Sequence, residues 1–327
     1  MHKKIIFPAA FLMMLLCSLP SFGWINTGHK VVALIAWEDL TPKTKAAITD
    51  LLKQHPRYQQ DLLLDAPADE TPDEQARTAF ATAATWPDMV RSQNNPMHAA
   101  YNHPAWHYID IPFTTGGAQA NERPPEGPGP HNIVEALTQC TADLKNPAKS
   151  PAEKAVDICW VEHLIGDIHQ PLHAASLYSP QFPNGDQGGN AEVIEKTPPY
   201  PDSTEKLHLL WDSLPGDFAS EELDRFEAQG LRADRHYSRE SMKDLLTTTG
   251  FMDWAKESHK LAIEDAYLDG KLETAAAPTR RGGGGNATQT PGAPPGYLEK
   301  AEHVAMHQVT LAGYRLADEL NGIFDPK

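Results

Sequence analysis

The segment His163–His173, HLIGDIHQPLH, packs three histidines and an aspartate into eleven positions of an otherwise ordinary helical run. A fold for this chain has to accommodate that density. In a helix, His163 and Asp167 are four residues apart and project from one face. Pro171 lacks a backbone N–H and ends or kinks the helix just before it, so His173 leaves in a direction unrelated to that pair. Gly166 leaves room for another element to approach closely. Taken alone, a helical His/Asp pair is more often a satisfied structural pair than a ligand set.

A second pair changes that balance. LHLLWD supplies His208 and Asp212 at the same spacing, and two such pairs plus His173 exceed what satisfied core histidines explain. Imidazole nitrogen and carboxylate oxygen suit zinc without any thiolate. Two weaker motifs accompany them: TWPDMVR with Asp88 and Arg91, and WHYIDIP with His107 and Asp110. If the chain begins at Trp24, WINTGH adds a free α-amine and a carbonyl that chelate in a five-membered ring, with His29 closing the site. The amine must lose its proton to bind, which its modest pKa allows when a metal competes.

That start is expected from the first 23 residues. MHKKIIFPAAFLMMLLCSLPSFG has a basic opening, an apolar run and small residues near Gly23, the pattern of a cleaved secretory signal. A lipoprotein reading through Cys17 is disfavoured by Leu15 and Leu16, where small residues are expected. No other stretch is apolar enough to span a bilayer. A periplasmic or secreted address follows. The chain carries a net charge of −16, and losing Lys3 and Lys4 makes it more negative. This argues against holding nucleic acid by a broad basic surface, though not against a site made locally positive by metal. Cys140 and Cys159 remain after the leader. They form either one bridge between antiparallel helices or two buried thiols.

The periodic segments predict an all-α, mainly helical single domain over 24–327. GHKVVALIAWEDL follows Asn26 and Thr27 as candidate caps. TPKTKAAITDLLKQH opens with Thr41 as cap and Pro42 at the first helical position. HNIVEALTQCTADLKN, PAEKAVDICWVEHLIGDIHQ, SMKDLLTTTGFMDWAKESHKLAIEDAY and YLEKAEHVAMHQVTLAGYRLADELN continue the pattern. NAEVIEK is the best strand candidate. DAPADETPDE reads as a solvated loop, and the Gly/Pro-rich stretch around 274–297 as a flexible insert.

Trp24, His29, Asp88, His107, His163-x3-Asp167, His173 and His208-x3-Asp212, in this order, resemble the zinc-dependent S1/P1 nuclease family. That family shares a superfamily with zinc-dependent phospholipase C. GGN at Gly188, Gly189 and Asn190, and LAGYRLADELN near the C-terminus, are also similar. The resemblance implies three zinc ions per chain. Asp88, His107, His163 and Asp167 would hold one; Trp24, His29 and Asp167 a second, with Asp167 bridging; His173, His208 and Asp212 a third. His169 is not a ligand in this scheme. The resemblance further implies a monomeric endonuclease and 3′-nucleotidase that leaves 5′-phosphates on single-stranded RNA and DNA. Arg91 would neutralise transition-state charge, Asp88 and Asp167 would serve catalysis through the metals, and Tyr108 would stack on a base. Asp110 and Asn190 would hydrogen-bond it. Few cysteines and a long insert after LLKQH depart from the fungal members. The rivals are a phospholipase C, disfavoured by Asp212 and GGN, and a zinc-storage protein. His303 and His307, although at i, i+4, have no third ligand in view and read as plain helix residues.

Overall fold

The structure is a computed structural model that describes residues 24–64, 66–120, 128–196, 204–216, 221–277 and 290–326. Residues 1–23, expected to be a cleaved signal, and residues 278–289 of the insert lie outside them. Helix α1 (Asn26–Asp39) is buried on nearly every side, from Val31 to Trp37. It is not capped by Asn26 or Thr27: Ile25 occupies the N-cap with no side-chain bond. The backbone of that first turn is anchored from outside instead, by Ile25 N–H donating to the Asp212 carbonyl at 3.1 Å. Helix α2 (Pro42–Leu52) starts as expected, Thr41 accepting from the Thr44 amide at 3.1 Å with Pro42 at the first helical position.

Helix α3 (Pro72–Ala83) begins inside the stretch read as a loop. Thr71 and Glu74 form a reciprocal capping box, Glu74 accepting from the Thr71 amide at 2.8 Å, so the acidic TPDE is a helix start. Two single turns, α4 (Trp86–Met89) and α5 (His98–Tyr101), follow, then a 3-10 turn over Pro104–His107. Helices α6 (Ile133–Lys145) and α7 (Pro151–Ile168) form a hairpin whose second arm opens with a Ser150/Glu153 capping box. Cys140 and Cys159 sit on these arms as two free, buried thiols; the Cys159 Sγ donates to the Ala155 carbonyl at 3.3 Å.

Helix α7 is buried on all faces from Val161 to Ile168, including Glu162, His163 and Asp167 at 0% exposure. A helix buried all round belongs at the centre of a fold. It stops at Ile168, ahead of Pro171, and a 3-10 turn over Pro171–Ala174 redirects the chain. The strands are short. β1 (Pro112–Thr114) pairs in parallel with β2 (Ser176–Tyr178), and β3 (Glu192–Glu195) lies between β4 (Thr204–Lys206) and β5 (Ala275–Ala276). β3 is the strand expected in NAEVIEK. Both described ends of the insert are pinned to it, Ala275 by ladder pairing and Ala293 by its N–H to the Glu195 carbonyl at 2.9 Å.

Helix α8 (Leu207–Asp212) is followed by α9 (Glu221–Ala233), which periodicity did not single out. The long helix expected across 241–267 is broken: turns and a 3-10 segment lead to Gly250, and only Phe251–Leu261 (α10) is regular. Three threonines before Gly250 disfavour helix, and the Thr248 carbonyl accepts from the Trp254 indole at 2.7 Å. The last helix, α11 (Tyr297–Phe324), lies along α1. Gly313 permits the approach, since a Cβ there would stand 2.5 Å from Ile35 Cγ2. Among the described residues, no helix is long and apolar enough to cross a membrane.

Candidate metal centre

His163 and Asp167 project from α7 into one point. The far nitrogen of His163 is bonded to the Ala84 carbonyl at 2.8 Å, just after α3, which turns Nε2 inward. Nε2 then lies 3.1 Å from Asp167 Oδ2, 3.0 Å from His107 Nδ1 and 3.9 Å from Asp88 Oδ1. His107, at the end of its 3-10 turn, also reaches Asp167 Oδ2 at 3.0 Å. His29, from α1, stacks on His163 with ring centroids 4.0 Å apart and places Nε2 at 3.4 Å from Asp167 Oδ1. One carboxylate therefore faces three imidazoles from three elements. Arg91 donates to the same Asp88 Oδ1 at 3.1 Å.

Gly166 is what lets α1 come this close. A Cβ there would lie 2.8 Å from His29 Nδ1, and the Gly166 carbonyl accepts from the indole N–H of buried Trp24 at 2.9 Å.

The second focus is made by His173, His208 and Asp212. Short strand pairing brings His173 beside His107: the β1–β2 pairing continues into Ile109 N–H to the His173 carbonyl at 2.8 Å. His173 Nδ1 meets the His107 carbonyl at 2.6 Å. His208 and Asp212 stand one turn apart on α8, and His208 Nδ1 meets the Gly188 carbonyl at 2.6 Å. Gly188 has φ +61°, and a Cβ there would strike the Leu172 carbonyl at 2.4 Å, so only glycine fits. The inward atoms then converge, His208 Nε2 lying 3.1 Å from His173 Nε2 and 3.5 Å from Asp212 Oδ2.

Among the described residues, three sets of donors result: His29, Asp88 and His163; His107, His163 and Asp167; His173, His208 and Asp212. Burial drives the imidazoles of His29 and His107 toward the neutral form, His107 down to about 4. For His163 burial works the same way, but Asp167 and Asp88 outweigh it and its pKa rises. Burial would raise Asp167, yet His163, His173 and His107 hold it well below the carboxylate range. Asp212 is pushed well up by burial.

The donors fit a cation better than they fit one another. Of the atoms that face the two foci, buried His29 Nε2, Asp167 Oδ1 and Asp212 Oδ2 have no hydrogen-bond partner. Orphaned buried groups of this kind are costly. His163, His173 and His208 each turn one nitrogen inward with the other on a backbone carbonyl, as metal-binding histidines do. Nitrogen and oxygen donors without thiolate suit zinc.

Tyr108 and Asp110 follow His107 directly; the first is half-buried and the second exposed. Asn190 is buried and its side-chain amide donates to the Gln187 carbonyl at 3.1 Å. His169 is a buried anchor, its ring between the Ile165 carbonyl at 2.7 Å and Arg315 at 2.9 Å. His303 pairs with the Tyr237 hydroxyl at 2.7 Å, and His307 with the Gln308 side chain at 3.3 Å. Gln170 and Asp186 escaped the motif reading. Gln170 donates to Asp212, and Asp186 accepts from Leu177, Gly189 and Tyr267 to brace the loop that holds His208. Gln170 sits inside the histidine-rich segment, so proximity was its only signal.

A family model described as S1/P1 Nuclease matches residues 24–325. The chain is 25% identical to Nuclease S1 of Aspergillus oryzae over 91% of this chain and 90% of that protein. It is 23% identical to Endonuclease 2 of Arabidopsis thaliana, covering 92% of this chain and 91% of that one. Endonuclease 1 of the same plant is 22% identical over 95% and 91%.

Proposed function

Because this chain belongs to the S1/P1 nuclease family, and is therefore a hydrolase of phosphodiester bonds, we propose that it is a zinc-dependent endonuclease and 3′-nucleotidase. Its substrates are single-stranded RNA and DNA, and its products carry 5′-phosphates. The observation that carries this reading is the Asp167 carboxylate within 3.4 Å of His29, His107 and His163. A trio beside it is built around Asp212.

Asp88, His107, His163 and Asp167 would hold one zinc; His29, Asp167 and the amine and carbonyl of Trp24 a second; His173, His208 and Asp212 a third. Bound there, zinc supplies Lewis-acid stabilisation of phosphoryl oxygens and lowers the pKa of water so that a nucleophile exists near neutrality. The protein's own groups do the rest. Asp167, shared among three imidazoles, sets the spacing of the donors. Arg91, held by Asp88 with its side chain 9% exposed, places a fixed positive charge next to the centre, where phosphate charge grows. The Tyr108 ring offers a face on which any base stacks, and exposed Asp110 accepts from base edges. Asn190 contributes through the loop it braces. A duplex keeps its bases stacked and cannot use such a face, which is the basis of single-strand preference. Export with cleavage ahead of Trp24 frees the amine, so the leader is also a maturation lock.

Zinc analysis per mole of chain, with zinc-loaded protein assayed in parallel on single-stranded DNA, duplex DNA and phosphatidylcholine, tests this. The expected result is three zincs and hydrolysis of the single strand above all, lost in Asp167→Asn. Activity on the lipid alone would assign the chain to phospholipase chemistry. Tight zinc binding without hydrolysis of any phosphoester would make it a storage protein.

A further inference from the structure

We propose that Gln170 is a positioning residue that sets which oxygen of Asp212 is offered to the third ion. Gln170 is fully buried and lies between the end of α7 and the turn carrying His173. Its side-chain oxygen accepts from the Leu172 amide, capping the turn that presents His173. Its nitrogen donates to Asp212 Oδ1 at 2.6 Å. One side chain thus keys two members of the trio that come from different elements.

The consequence for Asp212 is asymmetric. Oδ1 is engaged by the amide and sits 3.9 Å from His173 Nε2. Oδ2 has no hydrogen-bond partner and faces His208 Nε2 at 3.5 Å. A carboxylate with one oxygen occupied by a donor would offer the other, Oδ2, as its ligand atom. Partners that orient ligands in this way are worth about ten- to a hundredfold in metal affinity.

The inference rests on the trinuclear reading, and Gln170→Glu separates the two. Glutamate preserves the oxygen that caps the turn but sets a second acceptor against Asp212 Oδ1. Zinc is titrated against a competing chelator, and the Co2+-substituted protein is followed by its visible spectrum. Expected are two ions held as in the parent and a third weakened about tenfold or more, while the second buried carboxylate makes the metal-stripped protein less stable as pH rises. In an Asp212→Ala background, Gln170→Glu should add nothing, because the amide has lost its partner. Three ions held at parental or higher affinity by Gln170→Glu would overturn the proposal, as would further ion loss in that background. A parent that binds no ions would instead sink the trinuclear reading itself.

Discussion

Replacing Gly166 by alanine sets two effects of one methyl group against each other. In a helix interior alanine is worth about 1 kcal/mol over glycine. Here the new Cβ would stand 2.8 Å from His29 Nδ1 and 3.2 Å from its Cε1. Ordinary contact begins near 3.4 Å, so the ring must retreat about 0.6 Å. Overpacking of this kind costs about 1–3 kcal/mol, which leaves a net loss of about 0–2 kcal/mol. The fold tolerates that; the centre does not. The His29 ring has 0% exposure and lies face to face with His163 at 4.0 Å, so its displacement has no slack to absorb it. Catalytic constellations need their groups within about 0.5 Å, and misplacement by about 1 Å costs on the order of a hundredfold. Gly166→Ala is therefore expected to fold, lose the ion on the His29 side and fall about ten- to a hundredfold in kcat/KM on single-stranded DNA. Zinc per chain, a thermal melt and steady-state kinetics read the three quantities. Gly322→Ala, with no atom within 4 Å of the new Cβ, is the control and should gain up to about 1 kcal/mol with unchanged activity. Parental zinc content and kcat/KM in Gly166→Ala would refute the reasoning.

Two further outcomes follow from neighbouring groups. Glu162 is fully buried, neither carboxylate oxygen has a partner, and burial pushes its pKa well above 4.5. The unfolded chain releases that proton from about pH 4.5 upward while the folded chain keeps it, so the group lowers stability as pH rises. Glu162→Gln should match the parent near pH 4 and gain up to about 1.4 kcal/mol per pH unit above 4.5, read as a growing difference in melting temperature. A difference independent of pH would contradict the assignment. Retaining Gly23 ahead of Trp24 should remove the α-amine from the centre and lower both zinc content and activity, measured on a leader-retaining form. Full zinc and full turnover in that form would end the maturation idea.

What was legible in the sequence has a common cause: it depends on neighbours a few residues away. Pro171 ends α7 and Thr41 starts α2 because a missing N–H and a side-chain cap act within one turn. His163 and Asp167 share a face, and Gly166 opens one, by helical geometry alone. The same local rules contained α3, whose Thr71/Glu74 box was present but hidden by its acidic surroundings. The break at Gly250 could likewise be read from the threonines before it. The family was legible because order along the chain survives in a way that distance does not.

The tertiary structure decided what depends on partners distant in sequence. No local pattern says that the Ala84 and Gly188 carbonyls aim His163 and His208, that β1–β2 pairing draws His173 to His107, or that Arg315 holds His169. Those contacts are set by backbone groups and by elements up to 146 residues apart. Backbone carbonyls carry no residue identity to read, and a buried charge is placed by whatever surrounds it.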